Sequence, residues 1–367
     1  MRNLEKLGSL NYRLKALRSK TIKEILKKDA VKLDHPVSFW TKEDRLINGK
    51  GREFTIILKT RGCSWALGDK GGCSMCGYLQ DSIINLIDDK NIISQFDYAF
   101  NKKVEEIKNS NKNYVIKLFN SGSFLDEKEI SKSVRNYIFQ KIMSVSNITE
   151  IVIESRVEYI TEKSVNEIKT LSDGKYLEIA IGLESTDDYI RNNYINKGLK
   201  FQNFLEAVKL IKKYKLGIRI YLLFKPPFLN EQAAIDDCVK SIRELTNLKV
   251  NTISINPVNI QKDSFVEYLY RFNRYRPPWF YSLFKVFRET LKSDFNLNSI
   301  RLISDPSGAG TKRGIHNCLN KECNRLMIET LNNFVLTQDA DVIFDKERYY
   351  KCDCLIKYRL QKEHFLI

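Results

Sequence analysis

Apolar runs alternate with amphipathic stretches along the chain from residue 54 to about residue 260. The apolar runs begin at residues 54, 115, 150, 177, 218 and 252 and read FTIIL, VIKLF, EIVIES, LEIAIGLES, IRIYLLF and TISINPV. Short apolar runs rich in β-branched residues predict buried strands. The stretches between them, residues 95–109, 127–145, 161–171, 201–215 and 231–246, have the apolar spacing of helices. Six such repeats predict an α/β fold, a partial (β/α)₆ TIM-like barrel with its functional groups at the carboxyl ends of the strands.

The ends of the chain extend beyond this barrel. Residues 1–50 have leucines at positions 4, 7, 10, 14 and 17 with Lys and Arg between them, which predicts a basic helical extension. This extension either packs across one end of the barrel or reaches out to contact phosphates. We therefore predict three parts, namely the extension at 1–50, the barrel at 51–260 and a C-terminal module at 261–367.

Composition narrows the class of protein. With 43% hydrophobic and 29% charged residues, the chain has the composition of an ordinary globular protein. No run of about 18 apolar residues occurs, and the N-terminal residues contain no apolar signal region. We therefore expect a soluble cytoplasmic protein without membrane association. The formal net charge of +16 indicates either a polyanionic partner such as RNA or a lysine excess that only aids solubility.

Residues 59–82, KTRGCSWALGDKGGCSMCGYLQDS, place three cysteines among glycines. Cys63, Cys73 and Cys76 lie in a loop that leaves the first predicted strand, and glycine lets such a loop wrap closely around a compact ligand. Three thiolates leave one iron of a 4Fe–4S cluster without a protein ligand, whereas a structural zinc site takes four ligands. The loop therefore predicts a 4Fe–4S cluster with an open iron. The alternatives are a zinc knuckle or an oxidised loop completed by a distant cysteine.

The string TRGCSWALGDKGGCSMCGY resembles the radical S-adenosylmethionine (SAM) subunits of archaeosine synthase, the RaSEA family within the Elp3-like radical SAM enzymes. Like other Elp3-like enzymes, this chain has a longer first gap, of nine residues, than the commoner CxxxCxxC loop. Met75 departs from the pattern, because many relatives have an aromatic residue there. The segment DPSGAGTKRG at 305–314 and the residues Thr337-Gln338-Asp339 also resemble this family, so the similarity covers nearly the whole chain past residue 36.

This resemblance implies a function and its cofactors. A radical SAM enzyme binds SAM at the open iron and uses one electron, from a donor that the sequence does not identify, to form a 5′-deoxyadenosyl radical. The family implies an archaeal tRNA substrate whose position-15 preQ₀ base bears a lysine added by the partner ArcS, and a C–N cleavage that leaves archaeosine. The chain would then be a tRNA-modifying lyase. Two alternatives stay open, another Elp3-like radical SAM modification of tRNA and a non-catalytic, metal-stabilised RNA-binding module.

The ends of the second and third predicted strands carry candidate SAM contacts. Ser121-Gly122-Ser123 correspond to the family's glycine-rich motif, although they would also form a turn that caps the next helix. Glu154-Ser155-Arg156 are similar to the family's E(S/T)R signature. We expect Glu154 to accept a hydrogen bond from the ribose or amino group of SAM and Arg156 to bind its carboxylate. An internal ion pair is the alternative for these two charges.

Three further residues end the fourth and fifth predicted strands. Gly182 would let the backbone pass close to the adenine of SAM. Glu184 lies where a polar side chain must bind a ligand or remain solvated, so we assign it to SAM. Lys225 would meet SAM, a tRNA phosphate or solvent.

The C-terminal region contains a second group of cysteines. Cys318, Cys323, Cys352 and Cys354 form two close pairs on either side of a predicted helix at 324–336. Four thiolates suit a tetrahedral zinc ion. An auxiliary iron–sulfur cluster and metal-free structural cysteines are the alternatives.

Two basic segments are candidate nucleic-acid contacts. The first comprises Arg271, Arg274, Arg276 and Trp279, and the second comprises Lys312 and Arg313 in the glycine-rich loop at 305–314. Guanidinium and aromatic planes stack on unpaired RNA bases, and a basic glycine-rich loop suits a phosphate. The alternative for the first segment is an arginine-lined turn fixed by the two prolines inside it.

Overall fold

The computed structural model describes residues 10–27, 32–84, 87–293, 295–345 and 352–364. Within these ranges, a sheet of eight strands follows the order of the chain. The strands are β1 Ser38–Leu46, β2 Gly49–Leu58, β3 Tyr114–Asn120, β4 Ile148–Glu154, β5 Tyr176–Glu184, β6 Gly217–Phe224, β7 Thr252–Pro257 and β8 Arg301–Ile303. Neighbouring strands from β2 to β8 are parallel, whereas β1 is antiparallel to β2.

Helices connect these strands and cover the outer face of the sheet. In the described ranges they are α1 Leu10–Leu26, α2 Ser64–Leu67, α3 Asp89–Lys108, α4 Lys132–Met143, α5 Glu162–Leu171, α6 Phe201–Lys213, α7 Glu231–Asn247, α8 Phe265–Arg271, α9 Phe280–Leu291, α10 Lys321–Thr337, α11 Asp341–Phe344 and α12 Cys354–Gln361. Asp88, Ser131, Thr161 and Asn230 begin α3, α4, α5 and α7 by accepting a hydrogen bond from the backbone three residues on. A π-helical turn follows β5 at Ile190–Tyr194.

The predicted α/β partial barrel is confirmed, because each of the six predicted strands is present and helices lie between them. Outward-facing residues such as Ile116, Ile153 and Ile179 are buried in one apolar cluster with Phe139 of α4 and Phe204 of α6. Burying one such side chain stabilises a fold by about 1.5–3 kcal/mol. The apolar layer between sheet and helices therefore holds the barrel together.

The sequence analysis does not predict β1 or β8. β1 has the sequence SFWTKEDRL, whose charged residues are not typical of a buried strand. The strand nevertheless forms, because Asp44 points into the barrel and pairs there with Lys117 at 2.8 Å. β8 has three residues, too few for a recognisable pattern. The N-terminal extension is therefore helical at Leu10–Leu26 and extended at Ser38–Leu46, and the leucines at positions 4 and 7 lie outside the described residues.

Charged residues fill the inside of the barrel near the amino ends of the strands. Glu178 lies 2.8 Å from Arg219 and 2.7 Å from Arg301, and Arg301 lies 3.1 Å from Glu150. All four side chains are buried. Burial alone would raise the pKa of Glu178, but the two guanidinium groups outweigh this effect and hold the pKa at about 2. These pairs form a polar floor below the carboxyl ends of the strands.

The C-terminal residues pack against the same barrel. β8 extends the sheet, and Phe287 of α9 and Phe334 of α10 belong to the apolar cluster that covers the outer face, with ring centroids 5.0 Å apart. Residues on both sides of position 260 thus share one core. Within the described ranges, none of the helices combines the length and apolar character that crossing a membrane requires.

Candidate functional site

A cavity of about 420 Å³ opens at the carboxyl ends of the strands. Cys63, Cys73 and Cys76 all line it, together with residues from the ends of β4, β5 and β7. The structure thus brings the three loop cysteines to the edge of the sheet where the strand-end residues meet.

Two glycines let the cysteine loop approach neighbouring backbone closely. Gly71 and Gly72 have φ angles of +72° and +75°, a left-handed conformation that other residues rarely adopt. A Cβ at Gly71 would lie 2.7 Å from the backbone nitrogen of Lys15, and one at Gly72 would lie 2.9 Å from the Cα of Ala66. The chain entering Cys73 is therefore held between α1 and α2.

Hydrogen bonds from the turn after β5 fix the rest of the loop. The backbone nitrogen of Ser74 donates to Ile195 O and its hydroxyl to Tyr194 O, both at 2.8 Å. Asn196 Nδ2 donates to Gly72 O, also at 2.8 Å. The cysteine loop is therefore part of the rigid barrel end.

Arg18 of α1 is buried beneath the cysteine loop, with 3% of the residue exposed. Its Nε donates to Gly71 O at 2.9 Å, and its Nη2 donates to Cys73 O at 3.1 Å and to Cys76 O. One guanidinium group thus binds three carbonyl oxygens of the loop. The described part of the extension packs across the barrel end, and the helical period of α1 did not reveal this contact.

We expect the Arg18→Gln variant to lose a bound cluster about tenfold faster, because groups that hold metal ligands in place change metal affinity by about 10–100-fold when removed. The measurement is the rate at which a chelator removes iron from the reconstituted chain, followed by visible absorbance. Lys23→Gln, an exposed change on the same helix, should leave the rate unchanged. Equal rates for Arg18→Gln and the wild type would contradict this role.

The three thiols fit a 4Fe–4S cluster. Burial raises the pKa of each thiol, so an ionised form needs positive charge beside it. Nearby cations partly offset this effect at each thiol, namely Arg156 at Cys63, Lys197 at Cys73 and Arg18 at Cys76. Thiolates are the ligands that iron–sulfur clusters take from proteins. Beyond the thiols the cavity is lined by apolar side chains together with a few polar ones such as Glu154 and Arg156, and it offers room for a further ligand of the cluster.

The turn after β3 contains three predicted SAM contacts, and two of these residues line the cavity. Ser121 and Gly122 line the cavity, whereas Ser123 is fully buried. The hydroxyl of Ser123 accepts a hydrogen bond from Arg156 N at 3.1 Å, and Ser123 N donates to Glu129 Oε1 at 2.9 Å. The Ser123 hydroxyl thus positions the neighbouring strand end and does not line the cavity. A contact of this turn with SAM stays a prediction.

Glu154 lines the cavity at the last residue of β4. Among the described residues, its carboxylate has no hydrogen-bond or ion-pair partner, so the alternative of an internal pair with Arg156 does not hold for it. Burial raises its pKa to about 7, and the neighbouring Lys197 only partly offsets this. A half-buried carboxylate without a partner favours a ligand that donates hydrogen bonds.

The raised pKa of Glu154 gives a pH-dependent prediction. The unfolded chain releases this proton near the ordinary value of 4.5 and the folded chain near 7, so stability should fall as pH rises through this window. The Glu154→Gln variant cannot ionise and should lose this decline. Its Tm relative to the wild type should therefore increase from about pH 5 to about pH 8, measured by thermal unfolding without ligand. Glu206→Gln, an exposed change on α6, is the control, and an identical pH profile for both variants would contradict the prediction.

Arg156 lies at the cavity with its charge partly engaged. Its Nη1 and Nη2 donate to Lys197 O at 3.3 and 3.2 Å, it pairs with Glu158, and its guanidinium lies 5.3 Å from the centre of the Trp65 ring. Arg156 thus joins the cysteine loop to the turn after β5. A role with the SAM carboxylate stays a prediction.

Gly182 and Glu184 line the cavity at the end of β5. Glu184 has a φ of 71° and pairs with Lys197 at 2.8 Å. A Cβ at Gly182 would lie 2.6 Å from Lys197 Nζ, so the glycine leaves space for this ion pair. The sequence analysis did not assign Lys197 to the site, because this residue follows a turn and not a predicted strand. The one indication was Glu184, since a carboxylate at a buried strand end requires a positively charged partner.

Lys225 does not line the cavity. It is 6% exposed, lies 2.6 Å from Glu231 Oε1 and donates to Arg276 O at 2.8 Å. The prediction that Lys225 meets SAM or a phosphate is wrong, because its left-handed backbone, φ 61°, directs the chain toward this buried ion pair.

The C-terminal cysteines converge on one point. The sulfur atoms of Cys318, Cys323, Cys352 and Cys354 all lie within 4.8 Å of one another. Cys318 and Cys352 are 3.8 Å apart, as are Cys323 and Cys354. Thiolates bound at about 2.3 Å to a tetrahedral zinc ion would be about 3.8 Å apart. The geometry therefore suits one tetrahedral ion, whereas the four thiolates of a 4Fe–4S cluster each bind a different iron and lie farther apart.

Arg276 and Trp279 support this thiol site. Trp279 is 2% exposed, and the Arg276 guanidinium lies 3.6 Å from the centre of its ring. Arg276 Nη2 donates to His316 O at 2.9 Å and to Asn317 O at 2.7 Å, directly before Cys318. The prediction that these two residues stack on RNA bases is wrong, because the turn folds them inward.

The other predicted RNA contacts are on the surface. Arg271, Arg274, Lys312 and Arg313 are exposed. Arg271 and Arg313 both pair with the buried Glu267, at 3.2 and 2.9 Å. A role of these cations in nucleic-acid binding stays a prediction.

The chain has close relatives among known proteins, although no protein-family model matches it. It is 37% identical over 353 residues to the archaeosine synthase subunit beta of Methanosarcina acetivorans, covering 95% of this chain and 97% of the relative. It is 33% identical over 317 residues to the protein of the same name from Thermococcus kodakarensis, covering 84% and 92%. An uncharacterised protein of Methanocaldococcus jannaschii is 40% identical over 347 residues, covering 94% and 91%.

A solved structure shares the barrel fold. An archaeal Methanocaldococcus infernus Elp3 with an N-terminal deletion superposes with a TM-score of 0.50 at 14% identity, covering 66% of this chain and 59% of that chain. This likeness concerns the barrel architecture alone.

Proposed function

The chain belongs to the family of archaeosine synthase beta subunits, and from this premise we propose that it is the radical SAM enzyme that converts the lysine adduct of preQ₀ at position 15 of tRNA into archaeosine. The reaction breaks a C–N bond of the adduct, which makes the enzyme a lyase. The observation that carries the proposal is the meeting of Cys63, Cys73 and Cys76 with the unpaired Glu154 around one cavity of a partial barrel.

Bound together, a reduced 4Fe–4S cluster and SAM supply methionine and a 5′-deoxyadenosyl radical. In this proposal Cys63, Cys73 and Cys76 hold the cluster. The residues at the strand ends that would bind SAM are Ser121, Gly122, Glu154, Arg156, Gly182 and Glu184, all of which line the cavity. Glu154 accepts hydrogen bonds from the ribose or amino group, and Arg156 binds the carboxylate. The apolar side chains of Ile181, Leu199 and Leu223 line the same cavity and exclude water from the reacting carbon.

We assign a structural zinc ion to Cys318, Cys323, Cys352 and Cys354. Four thiolates leave no open position, which favours a structural rather than a catalytic role. The site joins the start of α10 to the start of α12, so the ion would stabilise the C-terminal residues against the barrel.

The proposal includes three partners. These are a tRNA, the lysine-transferring subunit ArcS, and an electron donor of unknown identity. The designation of the relatives as beta subunits supports a second subunit. Since the substrate is a tRNA, we place the enzyme in the cytoplasm.

Anaerobic reconstitution tests the proposal. The reconstituted chain should bind about four irons at the N-terminal site and cleave SAM on reduction. With tRNA carrying the lysine adduct, mass spectrometry of the nucleosides should show archaeosine. An unchanged adduct together with SAM cleavage would indicate a different radical SAM modification. If the chain neither bound iron nor cleaved SAM, the proposal would be contradicted and the alternative of a non-catalytic RNA-binding module would be supported.

A further inference from the structure

A row of aromatic rings runs along the rim of the barrel, at the ends of β5, β6 and β7. Its members, which we call the aromatic row, are Tyr189, Tyr194, Phe228, Phe265, Tyr268 and Phe272. Successive ring centroids are 5.5, 5.3, 6.0, 5.8 and 4.8 Å apart. The rings therefore contact one another in series and join three loops of the mouth.

Much of this surface faces solvent. Tyr189 is 63% exposed, Phe228 is 41% exposed and Phe272 is 60% exposed. Phe228 has a φ of 71°, a left-handed backbone that is unfavourable for a side chain other than glycine, and it links the two halves of the row. Phe265, between Phe228 and Tyr268, is buried and supports its exposed neighbours. Several exposed rings close together, one of them held at such an unfavourable backbone position, mark a binding surface.

Along the part of the row that follows β7, the exposed charges are positive. In the segment from 262 to 274, the exposed charged residues are Lys262, Arg271 and Arg274. The carboxylates of the segment are engaged, since Glu267 is buried and accepts from Asp263 N at 2.8 Å, and Asp263 accepts from Gln80 Nε2 at 2.6 Å. Arg271 pairs with Glu267, whereas Lys262 and Arg274 have no ion-pair partner among the described residues. This part of the surface thus combines exposed rings with two unpaired cations.

Arg13 of α1 adds a further cation to the row. Its guanidinium lies 5.7 Å from the centre of the Tyr268 ring, and its Nη1 donates to the Tyr268 hydroxyl at 3.2 Å. Arginine planes beside aromatic rings are typical of surfaces on which unpaired bases stack.

We propose that the aromatic row binds unpaired bases of the RNA substrate beside the base that enters the cavity. This inference rests on the proposed function, because a polynucleotide whose modified base reaches the cavity must lie across the rim. Charge complementarity with the cations of the row favours RNA. A protein subunit is the other occupant that exposed rings suit, and the experiment separates the two.

The test measures binding of the reconstituted chain to a single-stranded oligouridine and to an unmodified tRNA transcript by fluorescence anisotropy over a range of salt. Phe272→Leu keeps an apolar side chain but removes the ring, so it should weaken oligouridine binding about tenfold, the effect of losing a stacked base. Its salt dependence should match the wild type. Arg274→Gln should instead lower the slope of log K against log salt by about 0.7.

Tyr137→Leu on α4 removes a ring outside the row and should change neither quantity. Circular dichroism and Tm confirm that each variant is folded. Unchanged RNA binding by Phe272→Leu overturns the proposal, and loss of binding to the second synthase subunit by the same variant then identifies a protein interface. SAM cleavage by the wild-type chain without RNA tests the proposed function separately. Failure of the RNA-binding proposal can therefore be distinguished from failure of the proposed function.

Discussion

The Cys73→Ala variant is expected to retain no 4Fe–4S cluster and to lose reductive SAM cleavage to the background level. Cys73 is 9% exposed and lies in a loop fixed by Arg18, Asn196 and the turn after β5, so no neighbouring thiol can move to replace it. Two thiolates hold a cluster too weakly to survive purification. The measurements are iron and sulfide per chain, visible absorbance, and 5′-deoxyadenosine produced on reduction.

Cys238→Ala is the matched control for this loss. Cys238 is 3% exposed in α7 and belongs to the apolar core, so the same substitution there removes a buried thiol without touching the cavity. The control should keep the cluster and cleave SAM as the wild type does. If Cys73→Ala still bound about four irons, another side chain would have to complete the ligand set. That result would contradict the proposal that one iron is open to SAM.

Cys354→Ser should lower the Tm by roughly 10 °C, because structural zinc contributes about 10–16 kcal/mol of apparent binding energy in small domains and only part of that is needed here. Cys354 begins α12, and its sulfur lies 3.2 Å from the Tyr281 hydroxyl of α9, so the site helps to hold α12 against α9. Thermal unfolding and metal analysis of the anaerobic protein measure the effect. Zinc should fall from one ion per chain to none.

Ile356→Ala is the control for this prediction, because Ile356 is 62% exposed on the same helix. It should leave both Tm and zinc unchanged. If the wild-type chain contained about eight irons and no zinc, the C-terminal cysteines would hold an auxiliary cluster instead. A Tm of Cys354→Ser equal to that of the control would show that the four thiols need no metal to support the fold.

The sequence predicts the barrel well because the outward face of each strand is apolar without interruption. The six strands and the helices between them follow from this pattern alone, and the three cysteines follow from their spacing among glycines. β1 was missed for the opposite reason. Its inward side chains, such as Asp44, face buried partners from other strands, and a partner distant in the chain leaves no local signal.

The site was predicted in part. Side chains at strand ends reached the cavity where the strand itself aims them, as for Glu154, Gly182 and Glu184. Lys225 failed because a left-handed residue after β6 redirects the chain, and Trp279 failed because it is buried with the Arg276 guanidinium against its ring. Neither local backbone angles nor long-range burial can be read from residue types. The aromatic row was invisible for the same reason, because three separate loops contribute to it.

The charged floor of the barrel has a consequence for how the strands find their partners. A slip of β5 or β6 by one residue would turn Glu178 or Arg219 outward into the helix layer, where an unpaired charge costs several kcal/mol. An apolar barrel interior would tolerate such a slip, since a hydrophobic side chain can be buried either inside the barrel or in the layer between sheet and helices. The buried ion pairs thus fix the register of the strands. Through that register they also fix the positions of Glu154 and Glu184 at the cavity, although the paired charges themselves contact no substrate.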